Sequence, residues 1–508
     1  MLISRNNVIF LNHLKRKFFH IAGAVVVAFW LATIGILVCG RGLSSSDGVL
    51  LAQAGVGLDG REEEWMEVFL GKNRVGYSVS TINPIESGYL IKEELLLRLR
   101  LMGMATSVRT TSTSVVDWSF VIKRFEFQID SGVVSFRVSG KVRDHVLIVE
   151  RGSGKNKNTK MLRLKSQPVS SSAIPFLLRS RKPAIGEVIE IPIFDPSSLA
   201  EMKILIRAVS TDEVIISGRR YQATKYQSQI MGQPVFFWMS KKGELLKQTG
   251  LMGLTLVRSD SDHARAAIGG AGGRELYDIA AVVPDKKILR PRKVRILRVK
   301  VKGIPPKEIE PDPNDPRQVL LGDILTVKRE NLRAICSEGP NTSAKLRSQL
   351  REYLKPELNI ESDDELIRAK ALEITRGAEN PMERARRCLR WIYVNVEKKP
   401  VIGIPSAAQT LKTLVGDCNE HAALLAALLR ASGIPARVCA GLVYARGKFF
   451  YHAWNEAFLG GGWISLDATL NQMPVDATHI KLVQGGLQKQ MEILRVMGRL
   501  KLEVVEQE

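Results

Sequence analysis

An unbroken run of alanine and leucine near the C-terminus constrains the fold of this chain most strongly. Residues 422–429 are Ala-Ala-Leu-Leu-Ala-Ala-Leu-Leu, and Gly433-Ile434-Pro435 follows as a helix-ending signal. Both residue types have high helix propensity, and a helix that is apolar on every side has to be covered on every side. The run therefore predicts a buried helix. Cys418 lies at its start, where the helix dipole and free backbone N–H groups favour a thiolate.

Two predicted strands follow this helix and carry a histidine and an aspartate. His452 lies in the strand-like segment 449–458, and three glycines at 460–462 turn the chain into a second strand that reaches Asp467. Adjacent antiparallel strands would place His452 beside Asp467. Packing of the helix on the face of these two strands would then bring Cys418 to His452.

A cysteine, a histidine and an aspartate in this arrangement predict nucleophilic catalysis. Cys418 would attack a carbonyl, His452 would take the thiol proton and return it to the leaving amine, and Asp467 would hold the imidazole in the required tautomer. The backbone N–H of Cys418 would donate to the developing oxyanion. An isolated cysteine on an apolar helix is more often inert, and Cys388 and Cys439 fit that description.

A zinc site is the alternative interpretation of the same residues. Cys418 and His421 have the spacing of half a metal site, which His452 and Asp467 would complete. No second Cys or His pair accompanies them, so catalysis is the favoured interpretation and no metal is expected. Trp454, Glu420 and His421 are predicted to belong to the substrate pocket.

Four sequence blocks resemble the core of the transglutaminase-like superfamily. They are Gly416-x-Cys418-x-Glu420-x-Ala422, Gly433-Ile434-Pro435-Ala436-Arg437, His452-x-Trp454-x-Glu456 and Trp463-x-x-x-Asp467-x-Thr469. The resemblance covers about Pro381 to Gln484. It implies a papain-related α+β fold and thioester chemistry on amide substrates, with Cys418, His452 and Asp467 as nucleophile, base and orienting acid. Members include transamidases, peptidases, amidases and proteins without catalysis. No cofactor is expected, calcium included.

A different periodicity dominates residues 61–260. Apolar residues alternate with polar ones at several places, as in 189–193, and residues 240–244 have the composition of a hairpin turn. Short strands at this spacing predict an antiparallel β domain, either a sandwich or a partly open barrel. Its function is left open between a spacer or recognition module and a groove for a lipid or peptide.

Residues 261–345 are predicted to form a glycine-rich linker and a small β-rich region, and residues 346–508 the transglutaminase-like domain. Residues 362–365 fit a helix-capping box, followed by Leu366, Ala369 and Leu372 at helical spacing and by Gly377 at the far end. Asn380-Pro381 opens a second helix. The overall fold class is therefore α+β.

The net charge of +22 lies almost entirely before residue 346. Its densest run is 286–302, which has nine basic residues and no acidic one. Alternation with valine and isoleucine predicts a strand with one solvated face. The alternative is a docking stripe for anionic lipid or cell-wall polymer. Nucleic acid is not expected as a partner, because no aromatic residues interleave the run.

The N-terminal segment predicts a membrane anchor. Residues 21–40 carry no charge and have the length of a bilayer-spanning helix, and basic residues at 15–17 precede them. The positive-inside rule then leaves residues 1–20 in the cytoplasm and places the chain after a tether at 41–60 outside it. A signal peptide cleaved after Ala54 is the alternative.

The expected function is that of a single-pass, membrane-anchored extracytoplasmic enzyme, periplasmic in a bacterial inner membrane. It would form a thioester at Cys418 on a protein or peptide amide, resolved by water or by an amine. The alternative is a transglutaminase-fold binding or scaffold protein without catalysis. The sequence leaves the substrate and the oligomeric state undefined.

Overall fold

The computed structural model describes residues 60–508, except 102–103, 132–134, 144, 152–157, 197–199, 231–232, 251–252, 267–280, 310–314, 316, 338–343, 400 and 402–404. The predicted cytoplasmic tail, membrane helix and tether fall outside these residues, apart from Gly60. Among the residues described, no helix has both the length and the apolar composition needed to cross a bilayer. The chain contacts divide into two compact units with a boundary between Glu275 and Leu276.

The described part of the first unit is a large β-sheet with two helices. Its strands are β1 (Glu62–Leu70), β2 (Asn73–Ile85), β3 (Gly88–Leu101), β4 (Met104–Val116), β5 (Ile122–Asp130), β6 (Ser135–Arg143), β7 (Val146–Arg151), β8 (Asn158–Arg163), β9 (Val169–Ser170), β10 (Val188–Asp195), β11 (Ala200–Ile216), β12 (Arg219–Ile230), β13 (Gln233–Ser240), β14 (Leu245–Thr249) and β15 (Leu254–Ser259). Its helices are α1 (Ile174–Arg181) and α2 (Ser261–Arg265), with a 3₁₀ turn at Ser171–Ala173.

Neighbouring strands of this sheet are mostly consecutive in sequence. The order is β8 back to β1, followed by β15 back to β9, and every pair is antiparallel except β9 with β10. Alternation of buried and more exposed side chains is clearest in parts of β5 and β10. The predicted hairpin is present: β13 and β14 flank the turn, and Gly243 supplies the required positive φ of 80°.

The second unit mixes helices with three smaller sheets. In chain order it contains β16 (Ile296–Lys302), β17 (Gln318–Leu321), β18 (Ile324–Lys328), α3 (Leu332–Ser337), α4 (Ala344–Glu352), α5 (Glu365–Thr375), α6 (Pro381–Asn395), β19 (Glu397–Lys398), α7 (Ala407–Thr413), β20 (Val415–Gly416), α8 (Cys418–Ala431), β21 (Ala436–Ala445), β22 (Lys448–Leu459), β23 (Gly462–Leu466), β24 (Ile480–Gln484), α9 (Leu487–Gln490) and β25 (Lys501–Gln507). Short 3₁₀ turns lie at Pro291–Lys293, Pro306–Ile309 and Met491–Arg495.

The small β-rich region is part of the same compact unit as the C-terminal residues. Strands β17, β18 and β16 pair in that order, and β25 adds to β16 as the fourth strand. Strand β16 holds the last three basic residues of the run, and the other six precede it. Lys300 and Lys302 pair with Asp323 and Glu503 at 3.1 and 2.5 Å. Their leucine and valine neighbours in β16 are buried, as predicted for a strand with one solvated face.

Two helix predictions have different outcomes. Helix α6 begins at Asn380-Pro381, as predicted, and its cap side chain accepts from the N–H of Glu383. Helix α5 begins two residues later than the predicted capping box, with Asp364 as its cap. Its buried residues are Ile367 and Ala371, whereas the predicted Leu366 and Leu372 are 49% and 70% exposed. The apolar residues at 366 and 372 therefore do not mark the buried face of this helix.

The buried helix α8 packs on a four-stranded sheet with the order β23-β22-β21-β24. All its residues from Cys418 to Arg430 are buried. The face of β22 that contacts α8 carries small side chains. Ala453 and Ala457 belong to the same hydrophobic cluster as the helix residues, and Asn455 Nδ2 donates to Ala422 O at 2.9 Å. The predicted packing of α8 on these strands is therefore present, and it is made through the small side chains of β22.

Candidate active site

Cys418 is the first residue of α8. Asp417 caps the helix by accepting from the N–H of Asn419, and Glu420 reaches back to accept from the N–H of Asp417 at 3.0 Å. This capping box fixes the backbone at the point where the thiol leaves the helix. The backbone N–H of Ala453, next to His452 in β22, donates to the Cys418 sulfur. The contact with the His452 strand is therefore made through its backbone.

His452 and Asp467 are directly hydrogen-bonded. Nε2 of His452 lies 2.8 Å from Oδ2 of Asp467, and both side chains are buried. The pairing follows from the sheet: β22 and β23 are antiparallel neighbours, and Asp467 comes one residue after β23 ends. Nδ1 of His452 is buried and has no hydrogen-bond partner among the described residues. This nitrogen remains for proton exchange.

A second imidazole shares the same carboxylate oxygen. Nε2 of His479 lies 3.2 Å from Asp467 Oδ2, and its Nδ1 lies 3.4 Å from Asp476 Oδ1. Burial acts to lower the pKa of His479, and the two carboxylates outweigh it, so that the pKa is raised above its usual value. Burial conversely acts to raise the pKa of Asp467, and the two imidazoles hold it well below its usual range. His479 therefore lies between two carboxylates that favour its protonated form.

The sequence analysis did not assign a role to His479. Asp476-x-x-His479 is an acidic and a basic side chain three residues apart, shortly after Asp467, and this was the available signal. Histidine and aspartate in a loop are common without a shared partner, so spacing alone could not identify it.

Arg317 fixes the loop that carries this histidine. Its buried guanidinium donates to the backbone oxygens of Asp476 and His479 at 2.6 and 3.1 Å. It also pairs with Glu330 at 2.7 Å, and the other oxygen of Glu330 accepts from the N–H of Ser465 in β23. The residues around β17 and β18 therefore hold both segments that converge on Asp467.

A buried ion-pair network lies farther along the face of β22 that carries His452. Glu456 pairs with Arg437 and with Lys481, each at 2.7 Å, and Lys481 also pairs with Asp315. Burial acts to raise the pKa of Glu456, but Lys481 and Arg437 outweigh this and lower it to about 2. Glu456 therefore acts as a structural anion in the sheet.

The three predicted pocket residues are all buried. Glu420 belongs to the capping box, and His421 Nδ1 bonds to the backbone oxygen of Asp417 at 2.6 Å. Burial lowers the pKa of His421 to about 4, so it is neutral near pH 7. The Trp454 ring stacks 6.3 Å from His452 and meets His479 edge-on at 5.4 Å. Among the three, Trp454 is the one in ring contact with the candidate base.

The surroundings of Cys418 oppose an isolated thiolate. Burial raises its pKa well above the usual value, and the nearby negative charge of Asp417 adds to the effect, although the Ala453 N–H lowers it. The position of Cys418 at a helix start had predicted that the helix dipole favours the thiolate. Desolvation outweighs the dipole here because the thiol is only 2% exposed. Deprotonation therefore requires transfer to a nearby base.

His452, Asp467 and His479 also form the one group of possible metal ligands found among the residues described. Their nearest ligand atoms lie within 4.8 Å of one another. Both imidazole Nε2 atoms already bond to the single oxygen Oδ2, so a metal would have to replace these bonds. The arrangement fits an orienting carboxylate better than an open metal site.

Comparison with family models agrees with the geometry around Cys418. Residues 368–468 match the model of the transglutaminase-like superfamily. This segment is a transglutaminase-like domain. Its matched range contains Cys418, His452 and Asp467, whereas Arg317 and His479 lie outside it. A search of curated protein sequences found no match to the chain.

Three solved structures show some similarity to parts of the chain. A candidate cysteine protease from Cytophaga hutchinsonii is 22% identical, covers 44% of this chain and 80% of its own, and has a TM-score of 0.25. A β-barrel-like protein of the DUF1849 family from Brucella abortus is 14% identical over 39% and 95%, with a TM-score of 0.31. A candidate protease from Parabacteroides distasonis is 11% identical over 71% and 64%, with a TM-score of 0.19.

Proposed function

We propose that the transglutaminase-like domain is a cysteine enzyme in which Cys418, His452 and Asp467 act on an amide bond of a protein or peptide. One observation carries the proposal: Asp467 holds Nε2 of His452 at 2.8 Å and leaves the buried Nδ1 without another partner. That is the state in which an imidazole accepts a thiol proton.

In the proposed reaction, Cys418 transfers its proton to Nδ1 of His452, and the thiolate attacks the substrate carbonyl. The C–N bond breaks, the imidazolium returns its proton to the leaving amine, and a thioester remains on Cys418. Water resolves it to an acid, or an amine resolves it to a new amide. Asp467 stabilises the imidazolium, and the helix-start N–H of Cys418 is the candidate oxyanion donor.

Acylation by p-nitrophenyl acetate tests this proposal without knowledge of the substrate. We expect a burst of p-nitrophenolate and an acetyl group on the Cys418 peptide in mass spectra. Cys418→Ala is the matched control and should show neither. Added putrescine competes with water for the thioester, so the ratio of acetylputrescine to acetate separates transamidation from hydrolysis.

The scaffold alternative is favoured by one observation, the near-complete burial of Cys418 at 2% exposure. A binding protein keeps such a site closed, whereas an enzyme has to open it. Failure of Cys418 to become acetylated in the folded protein would support this alternative.

Membrane anchoring outside the cytoplasm is a further part of the proposal. Its support is the uncharged segment at residues 21–40 and the preceding basic residues. A reporter fused after Glu508 should be active only outside the cytoplasm. Activity of the fusion in the cytoplasm would contradict the orientation, and a mature N-terminus at Gly55 would replace the anchor by a cleaved signal.

A further inference from the structure

The β-sheet unit contains a cavity of about 160 Å³ that the proposed catalytic chemistry does not use. Strands β1 to β4 provide one wall, and the 3₁₀ turn before α1 and strands β13 to β15 provide the others. Its apolar lining includes Leu95, Phe127, Phe176 and Phe237. A space of this size holds a ligand of roughly six to ten non-hydrogen atoms, since a cavity of ~150 Å³ accepts benzene.

One carboxyl group interrupts the apolar inward face of β3. The inward residues alternate as Tyr89, Ile91, Glu93, Leu95, Leu97 and Leu99. Ile91, Leu97 and Leu99 are at most 2% exposed. Glu93 is surrounded by protein but keeps some accessible surface, and it lines the cavity. A carboxyl group in such a position is costly unless it is hydrogen-bonded or paired with a cation.

The neighbours of Glu93 explain both the cavity and its chemistry. Ser80 of β2 and Ser112 of β4 lie directly across from it in the sheet register. These small side chains leave space above the sheet and present hydroxyl oxygens. Ser172 donates to Glu93 Oε2 at 2.6 Å. No cation is found against Glu93 in the described part of the chain, and burial raises its pKa.

Glu64 provides a contrast within the same cavity. It also lines the space, but Arg258 lies 3.6 Å from its Oε1. Burial raises the pKa of both carboxyl groups, but Arg258 acts against the rise at Glu64, whereas no cation acts on Glu93 in the described part of the chain. Charge complementarity therefore requires the ligand to supply the cation that would pair with Glu93.

We propose that this cavity binds a primary alkylammonium ion, with its nitrogen on Glu93 and its alkyl chain against the aromatic and leucine side chains. An ammonium group has three N–H donors. Glu93, Ser80 and Ser112 offer acceptor oxygens in one patch, and the apolar walls desolvate a short chain. The bound charge stabilises the ionised carboxylate, and the proton of Glu93 leaves to solvent.

Isothermal titration of the full-length protein with n-hexylamine and with n-hexanol tests the proposal. We expect the amine to bind at least about tenfold more tightly, because a charge-assisted hydrogen bond contributes more than a neutral one. Glu93→Gln should remove this preference while leaving the circular dichroism spectrum unchanged. Glu64→Gln is the matched control and should retain the preference.

Equal binding of the amine and the alcohol would overturn the proposal in favour of a purely apolar pocket. If Glu93→Gln and Glu64→Gln lost the preference for the amine equally, the assignment to Glu93 would be overturned. The preference would then come from the total negative charge of the cavity and not from one carboxyl group. Neither result depends on acylation at Cys418, so the cavity and the proposed function are tested separately.

Discussion

At the scale of residues, the main feature of the site is that Oδ2 of Asp467 accepts hydrogen bonds from two imidazoles. Nε2 of His452 must carry a hydrogen to donate to Asp467 Oδ2, so the neutral ring of His452 is held in one tautomer. His452 is thereby left with a basic Nδ1. Asp467 itself is anchored by the N–H groups of Thr469 and Leu470, which donate to Oδ1 at 2.7 and 3.0 Å.

Removal of the base and removal of its orienting acid should differ in effect. His452→Ala should reduce acetylation of Cys418 by p-nitrophenyl acetate to the level of Cys418→Ala. Asp467→Asn should be slower than the parent by roughly 10²- to 10⁴-fold, because the amide can hold the wrong tautomer, but faster than His452→Ala. Single-turnover kinetics measure both. Parent-like rates in Asp467→Asn would show that Asp467 does not orient the base, and Asp476 would be tested next.

His479 should contribute a pH-dependent part of the folding stability. Its pKa is raised in the folded protein, so the protonated ring stabilises the fold below the unfolded value of about 6.5. This contribution is lost as pH rises through the folded pKa. His479→Gln should therefore lower the free energy of unfolding by about 1–3 kcal/mol at pH 5 and by less at pH 9. Urea unfolding at both pH values measures it; a constant difference would contradict the ion pairing.

Helix α8 combines an entirely apolar middle with a polar first turn. The middle explains its position in the core, and the capping box explains why its start is fixed. Burial raises the pKa of both Asp417 and Glu420. The charge of Asp417 adds to the rise at Glu420, whereas a hydrogen bond with Glu420 acts to lower the pKa of Asp417. The folded helix start therefore retains protons that the unfolded chain releases.

Two substitutions at Glu420 separate its role as a hydrogen-bond acceptor in the helix cap from the effect of its ionisable group. Glu420→Ala should destabilise the protein by about 1 kcal/mol, because the N–H of Asp417 loses its acceptor. Glu420→Gln keeps an acceptor oxygen and removes the ionisable group. A carboxyl group whose folded pKa is raised costs stability as pH rises above its unfolded pKa, so the stability of the Gln variant should increase relative to the parent as pH rises above about 4.3. Thermal unfolding at several pH values measures both; identical pH profiles would count against the raised pKa.

Local patterns predicted the elements better than their contacts. The apolar run gave α8, Asn380-Pro381 gave the start of α6, and alternation gave the strands. The sequence could not predict which face of β22 contacts α8, because this depends on the close approach that Ala453 and Ala457 permit. The partners of Asp467 were only half predictable: His452 lies on the neighbouring strand, whereas His479 arrives on a loop fixed by Arg317, about 160 residues earlier.

At the scale of the molecule, the β-rich residues before 346 support the transglutaminase-like domain. Arg317 pairs with Glu330 and bonds to the loop that carries His479, and Gln318 exchanges two hydrogen bonds with the backbone of Lys481. The predicted boundary at residue 346 separates these partners. The boundary of the compact unit, at 276, keeps them together.

Two fragments should therefore behave differently. Residues 281–508 should fold cooperatively and become acetylated at Cys418, whereas residues 346–508 should not, because Lys481, Asp476 and His479 lose buried partners. Calorimetry and mass spectrometry of both fragments measure this. Cooperative folding of the shorter fragment would show that the β-rich region is dispensable.

A point substitution tests the same support in the whole chain. Arg317→Leu leaves Glu330 buried without its cation, and breaking a buried pair in this way costs about 3–5 kcal/mol. The double variant Arg317→Leu, Glu330→Gln removes the unpaired charge and should recover part of the loss. Urea unfolding of the three proteins measures it. A loss below about 1 kcal/mol in the single variant would contradict the proposed support.

The pairing of β16 with β25 affects the timing of assembly during synthesis. Val301 lies opposite Leu502, so this sheet joins segments about 200 residues apart. Contacts over such separations close late, because the intervening chain must first be ordered. On the ribosome, Cys418 is translated before β25 has emerged. The small sheet that supports Arg317 can be completed only after β25 has emerged. We therefore expect the residues around Cys418 to reach their final positions after helix α8 has left the exit tunnel.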